Sequence, residues 1–187
     1  MTNFPIQHRT SSIQYPKNMS RAFIGIGSNI DAEENIRKAV HLLHTATRVV
    51  GVSTFYLTPP IGGKQAWFHN GVVEVETDMP QLELKRTVLL AIENQLGRQR
   101  TSDKNAPREI DLDIILFDDL AESEDSEILL RPFLAIPLCE LHPDLVLPRS
   151  GRPIREIAGA MMYNEMKGLP EFTEQLRRDL QYEQSQS

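Results

Sequence analysis

The chain has 187 residues, of which 40% are hydrophobic and 25% are charged, with a net charge of −6 at pH 7 and a pI near 5.4. These values are typical of one soluble globular domain with a sizeable core. The acidic balance argues against a general nucleic-acid binder or a membrane-surface protein, and no apolar run is long enough to span a membrane. The single cysteine and the absence of an apolar leader predict a cytoplasmic protein.

The first part of the chain alternates a strand, a helix and a second strand. Residues 1–20 lack periodicity and predict a flexible N-terminal arm. Ala22–Gly27 reads as a buried strand, and apolar residues at helical spacing predict a helix over Glu33–Thr45. Val49–Tyr56 is rich in β-branched and aromatic residues, which predicts one strand. Prolines and glycines in Thr58–Gly63 predict a loop.

The second part repeats this pattern. Asn70–Thr77 alternates apolar and polar residues and predicts a half-exposed strand. An apolar stripe that runs from Leu82 to Leu96 predicts a helix, with Gly97 just past its end. Asp111–Phe117 predicts a strand, and the acidic stretch Asp118–Glu127 predicts a solvated loop. A final amphipathic helix is predicted near Glu171–Tyr182.

The order strand, helix, strand, strand, helix, strand is that of a split βαβ fold. It predicts the α+β class, with a ferredoxin-like antiparallel sheet and helices packed on one face. We expect one domain over residues 21–160, preceded by the arm of residues 1–20. We expect residues 161–187 to form a polar C-terminal extension that is partly helical.

Two aspartates stand out in the run KNAPREIDLDIILF, residues 104–117. Asp111 and Asp113 are two residues apart in a predicted strand, so their side chains point to the same face. Neighbouring carboxylates repel and resist burial, and a divalent cation with a preference for oxygen ligands, such as Mg²⁺, compensates for this. The alternative is a pair of salt-bridged carboxylates on a sheet face.

A basic cluster precedes this pair. Between Gly97 and Arg108 there are four basic residues and one acidic residue, Asp103, which gives a local charge of +3. The four are Arg98, Arg100, Lys104 and Arg108. Cations beside a carboxylate pair suit a Mg²⁺–polyphosphate substrate, whereas a solvated loop is the alternative. The chain has neither a Walker sequence nor the protein-kinase motifs.

A second candidate site combines the Thr58–Gly63 loop with the tripeptide at Phe68–Asn70. The Asn70 amide offers both a donor and an acceptor, which matches the edge of an amide-like heterocycle. Phe68 and Phe133 offer flat apolar faces for such a ring, with core packing as the alternative for each.

Six motifs occur in a fixed order along the chain: FIGIGSN at 23–29, STFYLTPP at 53–60, FHN at 68–70, IE-x-x-LGRQR at 92–100, PREIDLDIILF at 107–117 and R-x-F-x-x-x-PL at 131–138. Over roughly Arg21 to Pro148, this ordered set resembles the 6-hydroxymethyl-7,8-dihydropterin pyrophosphokinase family. The resemblance implies a ferredoxin-like enzyme of folate biosynthesis. Such an enzyme transfers pyrophosphate from ATP to the pterin hydroxymethyl group and releases AMP.

The resemblance also implies roles for individual residues. Arg98 and Arg108 correspond to catalytic arginines, and Asp111 and Asp113 to the ligands of two Mg²⁺ ions. The implied pterin-binding residues are Thr58, Pro60, Ile61, Phe68, Asn70 and Phe133. The implied nucleotide-binding residues are Glu93, Arg100, Arg108, Ile114 and Arg131. ATP and the pterin are the expected partners, with no nucleic acid or membrane, and the expected state is a monomer or weak homodimer.

The sequence departs from the family pattern in two places. Asn105 stands where the family usually carries a tryptophan, and the acidic stretch 118–127 replaces a Pro-His motif. These departures motivate an alternative, a divergent paralogue that binds a pterin or related compound with weak or no pyrophosphokinase activity. A ferredoxin-like RNA-binding module is a third hypothesis, opposed by the acidic charge.

Overall fold

A computed structural model describes residues 19–60, 66–99, 106–118, 120–121, 125–161 and 165–184. The predicted arm of residues 1–20 lies almost wholly outside these ranges. Five residues singled out by the sequence lie outside them as well: Ile61, Arg100, Asp103, Lys104 and Asn105.

The fold is built on one antiparallel sheet. Its strands are β1 Ser20–Ser28, β2 Arg48–Val52, β3 Tyr56–Thr58, β4 Phe68–Thr77, β5 Asp111–Phe117, β6 Leu120–Ala121 and β7 Lys167–Gly168. The strand order is β6-β5-β1-β4-β3-β7, with β2 also paired to β4, and every pairing is antiparallel. The main path β5-β1-β4-β2 confirms the ferredoxin-like prediction.

Helices cover both faces of this sheet. They are α1 Ala32–Ala46, α2 Gln81–Glu83, α3 Leu90–Gln95, α4 Asp125–Leu130, α5 Pro132–Leu141, α6 Ile154–Ala160 and α7 Pro170–Gln184, with a π-helical stretch Leu84–Leu89 joining α2 to α3. In the described part of the chain, no helix is both long and apolar enough to cross a membrane.

The expectation of helices on one face only is therefore wrong. Helices α1, α3 and α7 pack on the first face, in a core that includes Ile24 and Leu112 from the strands. Helices α4, α5 and α6 pack on the second face, in a core that includes Phe23 and Ile115. Because successive strand residues point to opposite faces, the sheet supplies apolar side chains to both cores.

Strand β4 is buried on both faces, not half-exposed as its alternating pattern predicts. Its residues from Gly71 to Thr77 are all buried. The polar positions of the alternation are carboxylates with cationic or imidazole partners, which offset the cost of burial. Glu76 accepts a hydrogen bond of 2.5 Å from Arg48, and Glu74 lies 3.0 Å from the Nε2 atom of His142.

Three other local predictions need correction. The single strand expected over Val49–Tyr56 is two strands, β2 and β3, separated by Ser53–Phe55. The acidic stretch Asp118–Glu127 is not one loop, because it contains β6 and the start of α4. Leu82 is 58% exposed, since the π-helical stretch shifts the buried stripe to Leu84.

The packing of Phe55 against Gly71 predicts a strong size limit at residue 71. A Cβ atom added to Gly71 would lie 2.8–2.9 Å from the ring of Phe55, which is fully buried. Gly71→Ala should lower the free energy of unfolding by about 1–3 kcal/mol, because the ring has no free space to move into. Denaturant unfolding measures this change. Gly159→Ala is the control, since a Cβ there meets nothing within 4 Å, and equal unfolding midpoints for the two variants would contradict the prediction.

Burial of His69 predicts a pH-dependent stability. Burial lowers the pKa of this imidazole below its ordinary value of 6.5, and the charge of Glu33 offsets this only partly. Below pH 6.5 the unfolded chain binds a proton that the folded chain resists, so stability falls with pH from 6.5 to the lower folded pKa. Unfolding of the wild type and of His69→Leu across this range should show a smaller acid loss in the variant. Parallel curves would contradict the prediction.

Candidate active site

The candidate residues meet at one end of the sheet. In the strand register Asp111 lies opposite Gly27, Gly27 lies opposite Asn70, and Asn70 lies opposite Tyr56. Neighbouring strands are spaced about 4.8 Å apart, so about 10 Å separate the backbones of Asp111 and Asn70. Leu112 points into the core beneath α1 and α3, so Asp111 and Asp113 point to the α5 face.

Asp111, Gly27 and Asn70 thus lie in a row across β5, β1 and β4. Glycines on β1 leave the sheet surface open between Asp111 and Asn70. A Cβ atom on Gly27 would lie only 2.6 Å from the amide oxygen Oδ1 of Asn70. A Cβ atom on Gly25, which lies opposite Asp113, would lie 3.1 Å from Ile115 and 3.6 Å from Leu134 of α5. The glycines therefore let the Asn70 amide lie across β1 and let Leu134 of α5 pack against β1.

Asp111 binds both predicted catalytic arginines. A guanidinium nitrogen of Arg98 lies 2.6 Å from its Oδ1 atom, and Arg108 forms a close ion pair with its Oδ2 atom. The side chains of Arg98, Arg108 and Asp111 are 16%, 22% and 23% exposed. Their partial burial strengthens these interactions relative to pairs in bulk water.

Glu93 connects this cluster to the helical layer. Its side chain is 2% exposed, and its carboxylate accepts a 2.9 Å hydrogen bond from the Leu112 backbone N–H and forms an ion pair with Arg98. The chain reaches Arg98 through Gly97, whose φ of 86° is in the left-handed region. The N–H of Gly97 bonds to Asn94 and that of Arg98 to Glu93, the pattern of a Schellman helix end. The helix terminus thus fixes where Arg98 lies.

Ser28 and Asn29 hold the segment that carries Arg108, a role that sequence reasoning missed. Asn29 accepts a 2.8 Å bond from the Arg108 N–H at Oδ1 and donates a 3.2 Å bond from Nδ2 to the Ala66 carbonyl. The Ser28 hydroxyl donates to the Glu109 carbonyl at 2.5 Å. The sequence did carry a signal for this role, because two polar residues, Ser28 and Asn29, stand at the end of a buried strand.

Thr58 and Asn70 form the other end of the row. The Asn70 amide donates a 2.6 Å hydrogen bond to the Thr58 hydroxyl, which is buried. Phe68, two residues before Asn70, shares its face. Phe133 lies in the first turn of α5, with the Arg131 guanidinium 5.8 Å from its ring centroid. Strand and helix therefore each bring one aromatic residue to this face.

Some predicted residues are placed differently. The side chain of Ile114 is 4% exposed and lies in the core on the opposite face, so only its backbone is available to a ligand. Pro60 is the second residue after the end of β3 and is partly buried. Asp118 lies at the far end of β5 from Asp111, where its carboxylate accepts a 2.9 Å bond from the Arg21 N–H. This acidic residue is therefore remote from the cluster.

Comparisons with known proteins point to one family. The sequence model described as 7,8-dihydro-6-hydroxymethylpterin-pyrophosphokinase matches residues 23–143. A 2-amino-4-hydroxy-6-hydroxymethyldihydropteridine pyrophosphokinase of Methylorubrum extorquens is 38% identical over 148 residues, which are 74% of this chain and 91% of that protein. The protein of the same name from Bacillus subtilis is 36% identical over 163 residues, 81% of this chain and 95% of its own.

Two larger proteins match over part of their length. Folic acid synthesis protein fol1 of Schizosaccharomyces pombe is 40% identical over 147 residues, which are 72% of this chain but only 20% of that protein. The crystal structure of wild-type Plasmodium falciparum HPPK-DHPS with pteroate superposes with a TM-score of 0.60 at 13% identity. It covers 79% of this chain and 43% of that one, and this likeness concerns the fold alone.

The matched range of residues 23–143 contains every described residue of the cluster and of the Thr58–Asn70 end. The chain therefore belongs to the 7,8-dihydro-6-hydroxymethylpterin pyrophosphokinase family and is an enzyme of the pyrophosphokinase class.

Proposed function

We propose that the chain transfers the β,γ-pyrophosphoryl group of ATP to the hydroxymethyl oxygen of 6-hydroxymethyl-7,8-dihydropterin, giving AMP and the pterin diphosphate. The observation that carries the proposal is the single row across the sheet. In this row the backbone of Asp111, whose carboxylate binds the two arginines, lies about 10 Å from the backbone of Asn70, which bonds to Thr58. This separation suits one polyphosphate and one ring lying side by side. A cytoplasmic, monomeric or weakly dimeric enzyme is part of the same proposal.

The charges in the cluster of Asp111, Arg98, Arg108 and Glu93 favour binding of a polyphosphate, whose oxygens can replace carboxylates as partners of the arginines. Arg98 and Arg108 are paired with Glu93 and Asp111, so these four side chains together carry no net charge. Both guanidiniums are held beside Asp111 of β5 by these ion pairs. Guanidinium groups bind phosphate oxygens through two parallel hydrogen bonds, so both arginines are suited to hold the transferring group.

Two Mg²⁺ ions are part of the proposal, with Asp111 and Asp113 as the protein ligands. Among the side chains that the structure describes, no three His, Cys, Asp or Glu residues cluster as a metal site. Two carboxylates on one face, beside the glycines of β1, fit an ion that takes its other ligands from phosphates and water. When bound, Mg²⁺ would neutralise phosphate charge and polarise the phosphoryl oxygens.

The remaining chemistry is positioning. The hydroxymethyl oxygen bonds to the β-phosphorus of ATP and loses its proton. The bond from that phosphorus to the α,β-bridging oxygen breaks, and AMP leaves with the bonding electrons. Arg98 and Arg108 stabilise the charge on the transferring oxygens, and no protein nucleophile is required.

Asn70 and Thr58 would orient the pterin by hydrogen bonding, while Phe68 and Phe133 would contact its ring faces. In the same proposal Arg131, Arg100 and the Ile114 backbone would contact the nucleotide. Glu93 would act by holding Arg98. The alternative of a weak or inactive paralogue gains no support, because the Asp–Arg cluster is intact and Asp118 lies far from it.

The proposed metal role predicts that Asp113→Asn lowers the rate of AMP formation by at least about 100-fold while the protein stays folded. AMP release from Mg²⁺-ATP in the presence of the pterin is the measurement, since simple phosphoryl transfer would give ADP. Removal of Mg²⁺ with EDTA should abolish AMP formation, and added Mg²⁺ should restore it. Asp144→Asn is the matched control, because Asp144 is 86% exposed and pairs with Arg155 away from the row. Full activity of Asp113→Asn would overturn the metal assignment.

Arg108 is predicted to act mainly on the chemical step. Arg108→Ala should lower kcat by about 100- to 1,000-fold, because one donor to the transferring group is lost. Steady-state kinetics with both substrates measures this, with Arg155→Ala as an exposed-arginine control. If kcat stayed within about threefold of the wild-type value, the catalytic role would be wrong.

A further inference from the structure

The chain beyond the matched range of residues 23–143 packs directly behind the acceptor end of the site. Strand β7 pairs with β3, so that Lys167 lies opposite Leu57 and Gly168 lies opposite Tyr56. Helix α7 places Phe172 and Leu176 in the same core as the buried ring of Phe55. The C-terminal segment, residues 165–184, is thus part of the sheet and of its core.

This segment supplies hydrogen bonds to the break between β2 and β3. The Phe55 N–H donates to the Thr173 hydroxyl at 2.9 Å, and the Phe55 carbonyl accepts from the Leu169 N–H at 2.8 Å. The Arg177 guanidinium donates two bonds, of 3.0 and 2.7 Å, to the Val52 carbonyl. Within the break the Ser53 N–H still bonds to the Val72 carbonyl of β4, whereas the N–H and the carbonyl of Phe55 find their partners in the C-terminal segment.

The break sets the path of the strand that carries Thr58. Phe55 is three residues before Thr58, and its ring lies edge-on to Phe172 with centroids 5.6 Å apart. On its other side the Phe55 ring contacts the backbone of Gly71, the neighbour of Asn70. A shift of Phe55 would therefore move both partners of the 2.6 Å hydrogen bond between Asn70 and Thr58.

We infer that Thr173 and Arg177 are positioning residues for the acceptor pocket, which they hold in register through Phe55 and Val52. Neither side chain belongs to the row of residues that faces the substrates. Loss of either should weaken pterin use more than ATP use, because the Asp–Arg cluster is anchored separately by Glu93 and Asn29. This inference rests on the proposed function for the identity of the acceptor.

Substitutions at Thr173 test the inference with closely matched variants. Thr173→Val keeps the shape but removes the hydroxyl, and we expect the KM for the pterin to rise about three- to tenfold with little change in the KM for ATP. Thr173→Ser restores a hydroxyl and should restore the wild-type KM. Thr45→Val is the control. The hydroxyls of Thr45 and Thr173 each donate to the carbonyl four residues earlier in the chain, but Thr45 lies in α1, away from the site.

Arg177 provides a second, independent variant. Arg177→Gln should raise the KM for the pterin in the same way, whereas Arg178→Gln, at the next and exposed position, should not. Circular dichroism and thermal unfolding of each variant establish the folded fraction used in the rate calculation. A stability loss alone would lower the amount of active enzyme, and so the apparent kcat, without changing the KM for either substrate.

The outcomes separate the two proposals. A selective rise in pterin KM for Thr173→Val and Arg177→Gln, absent in both controls, would support the inference. Equal changes in the two KM values, or variants that match their controls while the wild type forms AMP, would overturn the inference alone. No AMP from the wild-type protein would overturn the proposed function and this inference with it.

Discussion

The buried carboxylate of Glu93 is the contact that joins the helical layer, the sheet and the phosphate end of the site. Only 2% of its side chain is exposed, a costly position for a charge unless every lone pair has a partner. The Leu112 N–H and the Arg98 guanidinium provide those partners, so the cost of burial is offset only when α3, β5 and Arg98 are in their native places. Since Arg98 also contacts Asp111, the arrangement of the cluster depends on this buried group.

The site has two halves that are held by different contacts. The half proposed to bind phosphate is held by Glu93 and by the helix end at Gly97, whereas the half proposed to bind the acceptor adjoins the break between β2 and β3. Asn29 contacts the segments that lead into both, through Arg108 and Ala66.

Covering both faces of the sheet has a direct consequence for the site. Helix α5, which carries Phe133 and begins just after Arg131, packs on the face that carries the aspartates, while α7 packs on the opposite face behind Phe55. The substrate face is therefore backed by a packed core instead of solvent. A rigid backing of this kind suits a reaction that depends on positioning more than on covalent catalysis.

Local patterns in the sequence determined a large part of this protein. The i, i+2 spacing placed Asp111 and Asp113 on one face, and the element order predicted the ferredoxin-like sheet, because both depend only on short-range periodicity. The ordered motifs lie within residues 23–143, the range that matches the family. The sequence grouped Thr58 with Asn70, and Asp111 with its arginines, as residues of one site. It did not predict that they contact each other directly.

Tertiary structure decided the features that depend on distant segments. The break at Ser53–Phe55 was invisible in the sequence, because its hydrogen-bond partners, Thr173 and Arg177, lie more than 110 residues away. Burial of both faces of β4 was missed because its alternating carboxylates read as solvent-facing, whereas Arg48 and His142 pair with them across the fold. Periodicity reports which residues share a face, but only long-range packing decides what covers that face.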